Sequence, residues 1–219
     1  MCIEGYPRSG NTYATLAISD IVLNHANVDP EWKHAAVLKR LIHHTHDEAV
    51  LVESVREGIP TLSLIRTPLD AIQSTYIYYA GKTPVMELIA RWKRFYRSCL
   101  DLMGRDNFMI MRFDDIKDST LPIAQYLTKL RILESLPAST VSPEDVLNYI
   151  REDDKRLGAV YRDRTAAPID RDPTYITAFQ NELKGISRNH LKALQSTYST
   201  LNGASQTIRR KNGKKNSGD

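Results

Sequence analysis

Cysteine is nearly absent from this chain: Cys2 and Cys99 are the only two in 219 residues. Two are too few for a disulfide framework, and no C-x-x-C or histidine-rich spacing offers a zinc site. Long apolar runs are missing too, since no segment approaches the roughly 18 residues of a membrane span. No secretory signal peptide is expected, since Met1 leads almost directly into a glycine-containing loop. Internal repeats and low-complexity stretches are absent before the last residues. These absences predict a soluble, cytoplasmic protein with no metal site and no membrane association.

What is present suits a packed domain. The chain is 42% apolar and 26% charged, enough to bury a core. Its length predicts a single domain over 1–203, followed by a basic and flexible tail at 204–219. The net charge of +4 resides in that tail. Residues 207–219, TIRRKNGKKNSGD, carry five Lys/Arg and one Asp, so 25 basic and 25 acidic side chains remain before them. The body is therefore neutral, and nucleic acid is not an expected partner.

Strand and helix signals alternate along the chain. MCIEGY reads as a first strand, and a helix from Thr12 to about Asn24 follows, with Ala14, Ala17, Ile18 and Ile21 on one face. The stretch from Asp29 to His46 is ambiguous, because LKRLIHH suits either a strand or the end of a helix. A helix is predicted over 47–57 with Gly58 behind it. TLSLIR (61–66) reads as a strand and runs into a helix that Thr67 caps and Pro68 begins. A long helix over 84–103 buries Val85, Leu88, Ile89, Trp92, Phe95, Cys99 and Leu102. The strand FMIMRF (108–113) precedes helices over 121–133, from Ser142-Pro143 onward, and over 187–201. Such alternation predicts an α/β fold, a central parallel sheet with helices on both faces in three αβα layers. Ligands in such sheets bind at the carboxyl ends of the strands.

Two segments at such ends carry chemistry. GYPRSGNT (5–12) has the spacing of a phosphate-binding loop, G-x-x-x-x-G-K-[ST], but Asn11 stands where the lysine belongs. Backbone N–H groups and a helix N-terminus suit an anion there. Ser9 and Gly10 let the backbone approach, and Arg8 supplies a forked cation. The second segment, IRTPLDAIQS (65–74), ends a strand in Arg66, a bidentate phosphate donor, and places Ser74 two turns into the next helix.

Together, GYPRSGNTY and IRTPLDAIQS resemble the two signature motifs of sulfotransferases that use 3′-phosphoadenosine 5′-phosphosulfate (PAPS). The resemblance extends to MRFDDI (111–116) and to Trp92, and covers residues 3–135 in order. It implies a P-loop-like sulfotransferase fold, PAPS as co-substrate, 3′-phosphoadenosine 5′-phosphate (PAP) as product, and no metal. Arg8, Ser9, Gly10, Asn11 and Thr12 would hold the phosphosulfate, and Arg66 with Ser74 the 3′-phosphate. Arg8 would also stabilise the departing group. Asn11 departs from the family's usual threonine. Tyr13 supplies a ring for adenine or a core residue of the first helix. RRKNG (209–213) loosely resembles a basic segment that closes over the 3′-phosphate in some members.

An acceptor hydroxyl needs a base, and histidine suits that task near neutrality. His44-Thr45-His46 is similar to the K-T-H segment of cytosolic members, which makes His46 the expected base. Asp47 and Glu48 are the alternatives. The acceptor is expected to be a small molecule or carbohydrate bearing a hydroxyl or amine. Two other readings fit parts of the pattern: an ATP-dependent P-loop phosphotransferase, and a non-catalytic nucleotide- or polyanion-binding protein.

Overall fold

The computed structural model describes residues 1–7, 10–25, 43–158 and 173–213. Four strands, β1 (Cys2–Gly5), β2 (His43–Thr45), β3 (Thr61–Ile65) and β4 (Phe108–Arg112), form one parallel sheet in the order β2-β1-β3-β4. Every residue of β1 and β3 is buried, as expected where both faces of a parallel sheet are covered.

Strand alternation sorts the core into two halves. Ile3, Leu62, Leu64, Met109 and Met111 face α1 (Asn11–His25). Ile65, Phe108 and Ile110 face the other way, towards α2 (Glu48–Arg56), α3 (Pro68–Tyr78) and α4 (Val85–Asp101). A short α5 (Phe113–Ile116) leaves β4, and α6 (Leu121–Lys129) and α7 (Pro143–Gly158) complete the first face. Helices α8 (Pro173–Lys184) and α9 (Arg188–Gly213) complete the second. The chain is thus α/β with helices on both faces. The crossover through α1 moves to one side of β1, whereas those through α2 and α4 move to the other. Crossovers of one hand running in opposite directions must lie on opposite faces, and these do.

Two connections leave neighbouring strands in opposite directions, β1 towards β2 and β3 towards β4. Their carboxyl ends therefore flank the crevice where such sheets bind ligands. Gly5 pairs with Leu64, so the two ends finish nearly level.

Several expectations are met closely. Val85, Leu88, Ile89, Trp92, Phe95, Cys99 and Leu102 are all buried, and Gly58 takes positive φ beyond α2. Four details differ. Thr67 occupies the cap position of α3 but makes no side-chain capping bond; Pro68 begins the helix without it. Phe113 leaves the strand and starts α5. Helix α6 stops at Lys129, because Arg131 turns to φ 58° and the Ile132 N–H closes back on the Leu127 carbonyl. Helix α9 runs through Gly203 to Gly213. Its buried Leu201 and the bond from Arg112 Nη1 to Asn202 Oδ1, at 3.3 Å, hold this stretch against the sheet.

Helix α8 was not expected, and it clamps the start of α4. Glu182 Oε2 accepts from the Val85 N–H at 2.8 Å, and Oε1 from the Tyr76 hydroxyl at 2.8 Å. A carboxylate at a helix N-terminus is stabilising, so Glu182→Ala should cost about 1–2 kcal/mol in urea unfolding. A loss within error would mean that water replaces the carboxylate there.

Candidate functional site

The loop after β1 is held from three directions. Tyr6 is buried at 2% exposure and donates its hydroxyl to the Leu88 carbonyl at 3.2 Å. Thr75 Oγ1 lies 3.1 Å from the Pro7 carbonyl, which ties α3 to the loop. Gly10 takes φ +97°, and a Cβ there would lie 2.2 Å from the Phe113 ring. No other residue fits that position without displacing the ring. Asn11 then opens α1, whose first turn carries no acidic residue, and Thr12 follows it, half-buried. A helix N-terminus carries partial positive charge.

Phe113 joins the two expected anion grips. The Arg66 guanidinium lies 5.9 Å from the centre of its ring, within cation–π range, and Gly10 packs on the same ring. Arg66 follows the end of β3, level with the end of β1. Ser74 sits on α3, half-buried beside Thr75. Gly10, Asn11, Thr12 and Arg66 thus share one end of the sheet, and Ser74 adjoins the loop's anchor. Arg8 and Ser9 lie outside the described residues, as do residues 214–219 of the basic tail.

Tyr13 takes the second of the two positions open to it, within the core. It is 3% exposed and packs edge-on against Phe113 within the first-face core, with ring centres 5.8 Å apart. Burial pushes its phenol up to about 12. A ring enclosed this way is a core residue of α1.

His46 stands in the turn between β2 and α2, with an exposed side chain. Its Nδ1 lies 2.8 Å from the Gly5 carbonyl oxygen, and Asn11 Nδ2 lies 3.2 Å from the same oxygen. Asn11 Nδ2 and His46 Nδ1 are themselves 3.2 Å apart. Gly5 must be glycine for this cluster to form, since a Cβ would meet Asn11 Oδ1 at 2.4 Å. A carbonyl oxygen only accepts, so the short contact requires the proton on Nδ1. In the neutral ring, Nε2 then carries the lone pair.

The two carboxylates beside His46 have structural tasks. Asp47 caps α2 by accepting from the Ala49 N–H at 2.8 Å. Glu48 accepts from Ser98 Oγ at 2.7 Å and pairs with Arg94 Nε at 3.3 Å.

An open cleft of about 1020 Å³ begins at His46 and Pro7 and runs between α2 and α4. Tyr6, Val52, Leu88 and Phe95 give it an apolar floor. Charges line its rim, with acids mainly on α2 and Arg91 and Arg94 on α4. The anion grips and the cleft meet at His46.

Glu4 is the residue that its strand pattern did not reveal. It is fully buried in β1, one position before Gly5. Cys2 Sγ donates to its Oε1 at 3.4 Å, and Oε2 has no hydrogen-bond partner among the described residues. Burial, more than the nearby Asp47 carboxylate, pushes its carboxyl from the ordinary 4.5 to about 8.

The chain matches no protein-family model and no curated protein. Among the described residues, no cluster of His, Cys, Asp or Glu has the makings of a metal site, and no helix is long and apolar enough to cross a membrane.

The Glu4 shift carries a signed consequence. Between pH 4.5 and about 8 the folded chain keeps a proton that the unfolded chain releases, so this group lowers stability as pH rises through that window. Glu4→Gln removes the dependence. Its stability gain over wild type in urea should be larger at pH 8 than at pH 5; an equal gain at both would place the ordinary carboxylate value in the folded chain.

Proposed function

We propose that the protein is a PAPS-dependent sulfotransferase with a P-loop-like sulfotransferase fold. One observation carries the reading: an acid-free helix N-terminus and Arg66 stand at level ends of adjacent central strands, with Phe113 between them. An anion at each end of one adenosine donor suits that pair. Gly10, Asn11 and Thr12 would meet the 5′-phosphosulfate, with Arg8 and Ser9 of the same loop. Arg66 and Ser74 would meet the 3′-phosphate.

The lysine missing from the loop fits this reading. A nucleoside triphosphate needs a cation at that position for its β- and γ-phosphates. Asn11 supplies no charge, and its amide reaches back to the Gly5 carbonyl. The donor supplies an activated sulfuryl group. The chain's own task is to hold the acceptor in line, take its hydroxyl proton, and stabilise the negative charge that builds on the departing phosphate. His46 suits the proton transfer, since its Nδ1–H is engaged by Gly5 and its ring borders the cleft. The cleft is where the acceptor would lie, and its apolar floor favours a molecule with a hydrophobic body. The capping and ion-pair tasks of Asp47 and Glu48 make them weaker candidates for the base.

Thermal shift with PAP against magnesium-ATP tests the donor, and radiolabelled transfer from PAPS to an acceptor panel tests the activity. PAP should stabilise the protein selectively; a preference for magnesium-ATP would indicate a phosphotransferase, and PAP binding without transfer a non-catalytic binder. Arg66→Ala should weaken PAP binding by about 1.5–3 kcal/mol. His46→Ala should leave PAP binding intact and lower turnover by ~100-fold or more. Unchanged turnover would move the base to Asp47 or Glu48.

A further inference from the structure

We infer that Asn11 is a positioning residue that ties the orientation of the His46 imidazole to the state of the anion-binding loop. The inference rests on the sulfotransferase reading for its meaning, but its central contact is independent of any substrate.

Three polar atoms meet at this point. The Gly5 carbonyl faces both the His46 Nδ1 and the Asn11 Nδ2, at 2.8 and 3.2 Å. The amide orientation follows from the acceptor: with its oxygen turned to Gly5, Asn11 would set two acceptors against each other. Asn11 therefore fills the second lone pair of the carbonyl that holds His46. The asparagine is 3% exposed, and its amide nitrogen, which only donates, serves the Gly5 carbonyl and not the ring when Nδ1 is protonated. By holding that oxygen between two donors it keeps the carbonyl directed at Nδ1, and so the lone pair on Nε2.

Asn11 belongs equally to the loop. It is the first residue of α1 and follows Gly10, whose backbone is set by φ +97° and the Phe113 ring. Its own carbonyl accepts from Thr15 Oγ1 at 2.8 Å, which fixes the residue to the first turn. An anion drawn to this helix N-terminus acts on the backbone of the residue whose side chain touches His46. Donor binding and base alignment thus share one residue. Threonine, the usual occupant in the family this loop resembles, has a shorter side chain and one hydroxyl in place of two N–H donors. Lysine would place a cation beside Nδ1–H. Neither reproduces the contact.

The test uses full-length protein labelled with 15N-histidine, because the two tautomers differ in their ring nitrogen shifts. Without ligand, His46 should report the Nδ1–H form in wild type. In Asn11→Ala and Asn11→Thr it should move towards the distribution of a free imidazole, in which Nε2–H prevails. Thr15→Val removes a hydrogen bond from the same helical turn and should leave the His46 signals in place, which separates positioning from general loosening. Addition of PAP should shift the His46 signals in wild type and shift them less than half as far in Asn11→Ala. Steady-state rates should show kcat lowered about tenfold in Asn11→Ala, with KM for PAPS within about threefold. An unchanged tautomer in both Asn11 variants would overturn the inference, as would an equal PAP response in wild type and Asn11→Ala. Absence of any PAP binding to wild type would instead overturn the sulfotransferase reading, while the ligand-free spectra would still decide the role of Asn11.

Discussion

Parallel pairing of β1 with β3 is the constraint on which the site depends. With Gly5 opposite Leu64, the loop that follows β1 and the arginine that follows β3 emerge about one strand spacing apart, roughly 4.8 Å. Their connections leave in opposite directions, so no crossover helix fills the space between them. A slip of one residue would exchange the faces of the whole strand. Ile3 would turn to the α2–α4 side, and Gly5 would no longer present its carbonyl to both His46 and Asn11. Position and chemistry are therefore fixed by one register.

The described residues of the loop after β1 are held by partners from other elements. Tyr6 reaches into the α4 side of the core, Thr75 reaches up from α3, and the Phe113 ring closes against Gly10. Each anchor comes from a different element, so Tyr6, Pro7 and Gly10 are held by the sheet and its flanking helices together. The polar groups at the base of the loop carry a cost. Glu4 is buried with one oxygen unpartnered among the described residues, a situation that ordinarily destabilises. Apolar residues would pack better there.

Local pattern revealed most of the frame. The helix faces at Ala14–Ile21 and Val85–Leu102 repeat every three or four residues, and the two-sided burial of TLSLI reads as an unbroken apolar run. The glycine loop, Arg66 and the histidine turn were legible because each sits at a boundary marked by local residues. What escaped were features made by distant partners. Asn11 meets His46 across 35 positions and Thr75 meets Pro7 across 68; neither spacing leaves a trace in composition or period. Phe113 read as one more strand residue, although it joins both grips. Helix α8 had a usable signal in Pro173 with Ile176, Phe179 and Leu183, but the surrounding chain is too polar for it to stand out. Tyr13 was open to two readings because a ring at the third position of α1 suits either a ligand or the core. Only the position of Phe113 decides between them.

The contrast between loop and cleft bears on how the proposed chemistry would be divided. The proposed anion grips would draw on backbone N–H groups with Arg8 and Arg66, a set matched to a fixed, highly charged donor. The cleft has an apolar floor and a rim of mixed charge, which suits a larger and less charged acceptor. The two surfaces meet at the Gly5 carbonyl, where His46 and Asn11 converge. An acceptor proton would therefore be taken at the boundary between a strongly polar pocket and a greasy one. At that boundary a neutral imidazole with one nitrogen already committed to a carbonyl has a defined direction for its lone pair.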